Sequence, residues 1–191
     1  MKKFLVFLLA SFMVSMSVNA QDEPKHEIGV FYGFGSFSNV VSEYGTAFAI
    51  AVGDQTNYWG PVGVEYYYHI SPLVAIGGIA EYAGCKWDSP YYVKGALSTG
   101  YFTVMPSLKL NWLRKPNFGM YSSFSAGVMI FNLAADDTLK NSGAKVEEET
   151  LANFMFHVTA LGVEFGKSLC PFAELGIGEK GILCAGLRLK F

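Results

Sequence analysis

Charged side chains at repeated offsets have the strongest claim to chemistry in this chain. Glu65 stands seven residues before Pro72, Lys109 seven before Pro116 and Glu164 seven before Pro171. Gly63-Val64-Glu65-Tyr66 and Gly162-Val163-Glu164-Phe165 form a weak internal repeat around two of them. Glu81, Glu174 and Arg188 add charges of both signs. Paired carboxylates can do general acid–base work when their environments hold one protonated and the other ionised. The same carboxylates, interleaved with Lys109 and Arg188, can instead form an internal network of ion pairs. The sequence favours that structural reading.

Other chemistries are poorly supported. His26, His69 and His157 are too scattered for a recognisable metal-ligand spacing. Cys85, Cys170 and Cys184 form an odd set without a CxxC pair, which argues against a disulfide framework. Gly33-x-Gly35 follows no strand–helix pattern and reads as no nucleotide loop. No cofactor is implied. With 14 Lys+Arg against 16 Asp+Glu, the chain has no electrostatic footprint for nucleic acid. Asp136, Asp137, Glu147, Glu148 and Glu149, set against Lys140 and Lys145, read as a solvated loop, with cation binding as the alternative.

The positioning elements are strands. Residues 1–20 read as a cleaved signal peptide: Lys2 and Lys3, an apolar run from Phe4 to Val18, then Val18-Asn19-Ala20. Residues 21–27 are expected to form a short periplasmic segment and 28–191 a single barrel. No later run is long enough for a spanning helix, so a membrane-spanning mature chain would cross with strands. Period-2 alternation predicts strands at 28–37, 60–70, 73–85, 100–113, 118–132, 153–166, 170–178 and 182–191. Phe102, Val104, Pro106, Leu108, Leu110 and Trp112 share one face of the fourth. Tyr101, Thr103, Met105, Ser107, Lys109 and Asn111 share the other. The sixth strand needs a bulge near Ala160 to put Glu164 inside.

Connections alternate between short turns and long polar segments at 38–59, 86–99 and 133–152, the candidate outer loops for a surface ligand or partner. Residues 46–53 are read as part of the first of these. The fold class is all-β, an eight-stranded antiparallel up-and-down transmembrane β-barrel with its apolar faces toward lipid. Such a cylinder is just wide enough for its own side chains to fill it, so inward charges must pair. The expected network joins Glu65, Glu81, Lys109, Glu164, Glu174 and Arg188. Glu164 is expected to face Glu174 across a hairpin with Arg188 beside Glu174, and Tyr67 and Ser107 to fill gaps. Gly29, Gly33, Gly77 and Gly127 are expected to make room for long side chains. Trp59 and Trp87 at one end and Trp112 at the other suggest interfacial girdles.

The glycine-flanked glutamate strands, the Ser71-Pro72 turn and the closing Leu187-Arg188-Leu189-Lys190-Phe191 resemble the small outer-membrane barrels of the OmpX, OmpW and OmpA-barrel type. The resemblance covers essentially the whole mature chain. It implies export to the outer membrane of a Gram-negative cell and a packed lumen. It also implies recognition by the barrel-assembly machinery through Leu187, Leu189 and Phe191. The expected product is a non-enzymatic monomer among outer-membrane lipids, with a structural or surface-interaction role. Alternatives are a narrow OmpW-like solute channel and a lipid-modifying enzyme. For the enzyme, His157, Thr159 and Glu164 are set against the His, Ser and Glu of lipid A deacylases. A soluble lipocalin-like carrier, with the faces reversed, is the remaining alternative.

Overall fold

The computed structural model describes residues 24–37, 55–88, 97–115, 117–135 and 150–191. The leader, residues 46–53 and most of the acidic segment after Ala135 lie outside these. Eight strands follow one another: β1 His26–Phe34, β2 Gln55–His69, β3 Val74–Asp88, β4 Leu97–Lys115, β5 Phe118–Ala135, β6 Thr150–Phe165, β7 Leu169–Gly178 and β8 Leu183–Lys190. Each pairs antiparallel with its neighbour, and β1 pairs with β8, so the sheet closes into an up-and-down barrel. Closure leaves no sheet edge around the barrel body.

All eight expected strands are present, and the corrections are to their ends. β1 starts at His26, two residues earlier than expected. β2 begins at Gln55, β3 runs to Asp88, β4 starts at Leu97, β5 reaches Ala135 and β6 starts at Thr150. The segments 38–59, 86–99 and 133–152 are therefore loops only in part. Ladder pairing continues past the point where hydrophobic alternation fades. β6 carries the expected irregularity, a register shift between Thr159 and Leu161. Opposite it, the β5–β6 ladder shifts between Tyr121 and Ser123.

The faces segregate as the alternation requires. Val64, Leu110 and Leu187 are 51%, 45% and 48% exposed, whereas Lys109 and Arg188 are fully buried. Phe102, Val104, Leu108 and Trp112 also face outward. This inverts the lipocalin arrangement and excludes that alternative: the greasy faces form the outer wall and the ions the core.

The wall is uneven. β1 pairs with β2 only as far as Tyr32↔Val62, and β6 pairs with β7 only to His157↔Gly178. β2 to β6 continue above that level, paired at Gln55↔Asp88, Trp87↔Leu97, Leu97↔Ala135 and Asn132↔Thr150. Among the described residues, a five-stranded sheet therefore stands above the closed cylinder on the side away from the short turns. Among the described residues, no strand covers 55–61 of β2 or 150–155 of β6 at its edges.

Three of the four expected roomy glycines have a different reason to exist. Gly29 does make room, because a Cβ there would lie 3.0 Å from the Glu65 side chain. At Gly33 a Cβ would meet the Lys180 carbonyl oxygen. At Gly77 and Gly127, likewise, a Cβ would lie 1.8 Å from the Tyr66 carbonyl oxygen and 2.0 Å from that of Val104. These two allow neighbouring backbones to approach closely. Gly77→Ala should lower stability by about 1–3 kcal/mol, as overpacking does. Gly78→Ala next to it should be silent, because its Cβ meets only the Met105 carbonyl oxygen at 3.7 Å. Urea unfolding of the two variants in detergent checks this, and equal midpoints would contradict it.

Candidate functional site

The inward positions converge on one cluster. Glu27 on β1, Glu65 on β2, Glu164 on β6 and Glu174 on β7 supply four buried carboxylates. Lys109 on β4, Arg188 and Lys190 on β8, and Lys180 in the β7–β8 turn supply four buried cations. An isolated buried ion is prohibitively costly, so the matching is a physical requirement.

Arg188 is the hub. Its Nη1 donates to Glu164 at 2.7 Å, and its Nε and Nη2 both donate to Glu65 Oε1, at 3.0 Å for Nε. It lies 3.6 Å from a carboxylate oxygen of both Glu27 and Glu174. One guanidinium thus reaches all four acids. Its flat face lies 4.2 Å from the Phe172 ring centroid and 5.0 Å from that of Tyr121. A planar five-donor fork suits such a site, and an ammonium could not reproduce it.

The lysines complete the cluster. Lys109 donates to Glu27 at 2.7 Å and reaches Glu164 at 3.5 Å, with its ammonium 4.1 Å from the Tyr121 ring centroid. Lys180 bridges Glu174 at 2.6 Å and Glu65 at 3.0 Å. Lys190 donates to Glu164 and lies 3.5 Å from Glu27. Neutral donors tie off remaining oxygens. Tyr121 donates to Glu174 at 2.7 Å, Thr159 donates to it at 3.2 Å, and the His69 imidazole meets Glu27 at 2.7 Å. Tyr67 and Ser107 are joined at 2.9 Å, and Ser125 donates to Ser107 at 2.7 Å.

Of the six expected network residues, Glu65, Lys109, Glu164, Glu174 and Arg188 come together. Glu81 does not: it is buried, but neither carboxylate oxygen has a hydrogen-bond partner. It stands on β3 opposite Gly63 and Thr103, toward the far end of the lumen. The expected Glu164–Glu174 pairing is also corrected. Glu174 lies opposite Gly162 and Cys184, Glu164 opposite Phe172, and Arg188 opposite Cys170. The β6 irregularity sets that register, and the two acids meet only through Arg188.

Sequence reasoning missed Glu27, Lys180 and Lys190 as members. Glu27 shares parity with Gly29 and Phe31, and assigning it to a leading segment hid it. Lys190 shares parity with Arg188. Lys180 gave no periodic signal, because it lies in a turn and turn lysines ordinarily face water. The turn is held inward by Glu179 N–H donating to the Phe156 carbonyl and Ile182 N–H donating to that of Phe34. Gly178 and Gly181 allow this with φ of 130° and 103°, values that L side chains rarely adopt.

The remaining candidates do not assemble. His157 is buried inside with both ring nitrogens unbonded, and Thr159 bonds Glu174 rather than His157. The His157, Thr159, Glu164 set therefore forms no relay and does not face lipid. His26 points outward and bonds Tyr66 at 2.8 Å, far from His157. Among the described residues, no group of three or more His, Cys, Asp or Glu could hold a metal. Cys170 and Cys184 are buried free thiols, and the Cys85 side chain lies outside the description. Trp59 and Trp112 are outward at opposite ends, while the Trp87 side chain is not described. Leu187 and Phe191 face outward, with Leu189 half-buried on the same face.

No protein-family model and no curated protein matches this chain. Among solved structures, it is similar to the N-terminal β-barrel domain of Pseudomonas aeruginosa OprF, with 13% identity and a TM-score of 0.45. That match covers 90% of this chain and 100% of the other. It is also similar to Ail, the attachment invasion locus protein of Yersinia pestis, in complex with the heparin analogue sucrose octasulfate. There the identity is 11% and the TM-score 0.47, covering 88% of this chain and 96% of the other.

Two expectations follow from the cluster. Arg188→Leu should cost about 3–5 kcal/mol, because it strands buried carboxylates. An unaltered melting curve for that variant would dismiss the network. Glu174→Gln should likewise lower the melting temperature, whereas Glu81→Gln should leave it unchanged or raise it, since no partner is lost. Parallel thermal melts in detergent test the contrast, and equal losses at both positions would contradict the geometry.

Proposed function

We propose that this protein is a monomeric outer-membrane barrel of a Gram-negative cell that anchors a projecting sheet and its connecting segments at the cell surface. Its role is structural or interactive rather than catalytic or transporting. The observation that carries this is the Arg188 cluster, because side chains from most of the wall meet at its centre and fill the cross-section. A cylinder filled in this way holds its shape and offers solutes no continuous path. The apolar exterior argues that its solvent is acyl chains.

The other parts support the same reading. The leader at 1–20 would export the chain. Leu187, Leu189 and Phe191, on one outward face of β8, would present the motif read by the barrel-assembly machinery. Trp59 and Trp112 would sit at the two lipid–water boundaries. The uneven wall carries residues 55–61 and 150–155 beyond the barrel, and among the described residues no strand covers their edges. Such edges recognise extended peptides by strand addition. The connecting segments 38–54, 89–96 and 136–149 would add contacts for a surface ligand or partner.

Planar-bilayer recording is the first test. The reading expects no discrete conductance steps from the purified protein, and steady channel events would overturn it in favour of the solute channel. Orientation is tested separately. Gln55→Cys should react with a membrane-impermeant maleimide on intact cells, and Lys115→Cys only after permeabilisation; the reverse pattern would contradict the proposal. Mass spectra of lipid A from cells with and without the protein should be identical if it does not modify lipid.

A further inference from the structure

The β7–β8 turn lies across the lumen rather than standing clear of it. Gly178, Glu179, Lys180 and Gly181 are all buried. On one side the turn is tied to β6, where Glu179 N–H donates to the Phe156 carbonyl at 3.1 Å. On the other it is tied to β1, where Ile182 N–H donates to that of Phe34 at 2.8 Å. It therefore bridges two strands that β7 and β8 separate. Against β1 the contact is backbone to backbone, since a Cβ on Gly33 would strike the Lys180 carbonyl oxygen. The Lys180 side chain reaches inward to Glu174 at 2.6 Å and Glu65 at 3.0 Å. On the way its ammonium lies 4.5 Å from the Phe31 ring centroid and 5.8 Å from that of Phe172. Those two rings belong to one buried apolar cluster with Ile79, Met105 and Cys184, and Cys184 stands opposite Gly33.

Two opposing effects meet at this turn. The ion pairs hold it in, because withdrawing Lys180 would take a partner from two buried carboxylates. Against that, Glu81 and His157 are buried with no hydrogen-bond partner on either carboxylate oxygen or either ring nitrogen. Both lie within electrostatic reach of Lys180. Buried polar atoms without partners carry a desolvation cost that water would relieve, and outward movement of the turn would admit water. Gly178 and Gly181, with φ of 130° and 103°, bracket the segment that would move. Hinges of a few residues are enough to absorb such a change.

We propose that the β7–β8 turn is a strap across the lumen, latched by Lys180, whose release opens a blind pocket toward the long-strand end. Glu81, His157 and the Cys184 cluster would line that pocket. Arg188 and its carboxylates stay in place, so the open state still offers solutes no through path. The inference does not depend on the membrane reading above.

The experiment is iodoacetamide labelling of the folded protein in detergent, with each labelled peptide quantified by mass spectrometry. Cys184 reports the strap. Cys170, fully buried opposite Arg188, reports general loosening. Both thiols should resist the reagent in wild type. Lys180→Met should speed labelling of Cys184 about a hundredfold, the scale on which losing a buried ion pair shifts an equilibrium, and leave Cys170 protected. Lys180→Glu, which repels Glu65 and Glu174, should act in the same direction and more strongly. Lys109→Met removes a cation from the same cluster on β4 and should leave Cys184 protected. In wild type at urea concentrations below the unfolding transition, Cys184 should label before Cys170, as a sub-global opening requires. Cys184 as slow in both Lys180 variants as in wild type would overturn the latch. So would Cys170 and Cys184 becoming reactive together, in a variant or in urea, or equal exposure of Cys184 in Lys109→Met.

Discussion

A guanidinium enclosed by an eight-stranded cylinder must meet carboxylates on several sides, and much else in this protein follows from Arg188 being there. Four glutamates from four strands supply the counter-charge, and three lysines restore the balance those glutamates would otherwise upset. The aromatic rings of Phe172, Tyr121 and Tyr67 pack against the same cations, where a ring face adds favourable electrostatics in a desolvated site. Space is limiting in so narrow a lumen. Gly29 stands where a side chain would strike Glu65, and Gly119 where one would strike Glu164. The cluster is therefore a packing solution as well as an electrostatic one.

Polar residues facing inward free the exterior to be apolar, and closure removes the edges that lipid would not tolerate. Among the described residues, those edges reappear only above the level where β1, β7 and β8 stop. The same asymmetry gives the β7–β8 turn its second role. It crosses the lumen side of the short wall and sends Lys180 down onto Glu65 and Glu174. Tethering a turn residue to acids on β2 and β7 links the closing hairpin past β1 to β2. Toward the far end, Glu81 and His157 lie outside this satisfied network, so the polar order of the lumen is concentrated at its middle and its short-turn end.

Much of this was legible from period-2 alternation. Strand number, order of faces and the inward placement of Glu65, Lys109, Glu164, Glu174 and Arg188 all follow from parity and turn prolines. The β6 irregularity was legible too, because His157 and Glu164 cannot share a face without one. What parity could not convey was register between strands. That is why Glu164 and Glu174 were expected to meet directly, and why Glu81 was grouped with acids that it does not touch. Lys180 was invisible for a deeper reason: a turn residue belongs to no alternation, and only the positive-φ glycines around it reveal that the turn folds inward. Extensions at the outer ends were missed because ladder pairing continues there after the hydrophobic alternation in the sequence has faded.

The sidedness of the wall is most directly measured by nuclear Overhauser contacts between lipid acyl protons and side-chain methyl groups, with the methyl-labelled protein in phospholipid nanodiscs. The account predicts strong acyl contacts from Leu108, Leu110 and Leu187 and none from Ile79 or Met105, which are buried in the lumen. Acyl contacts from Ile79 and Met105, with Leu108 and Leu187 silent, would contradict it.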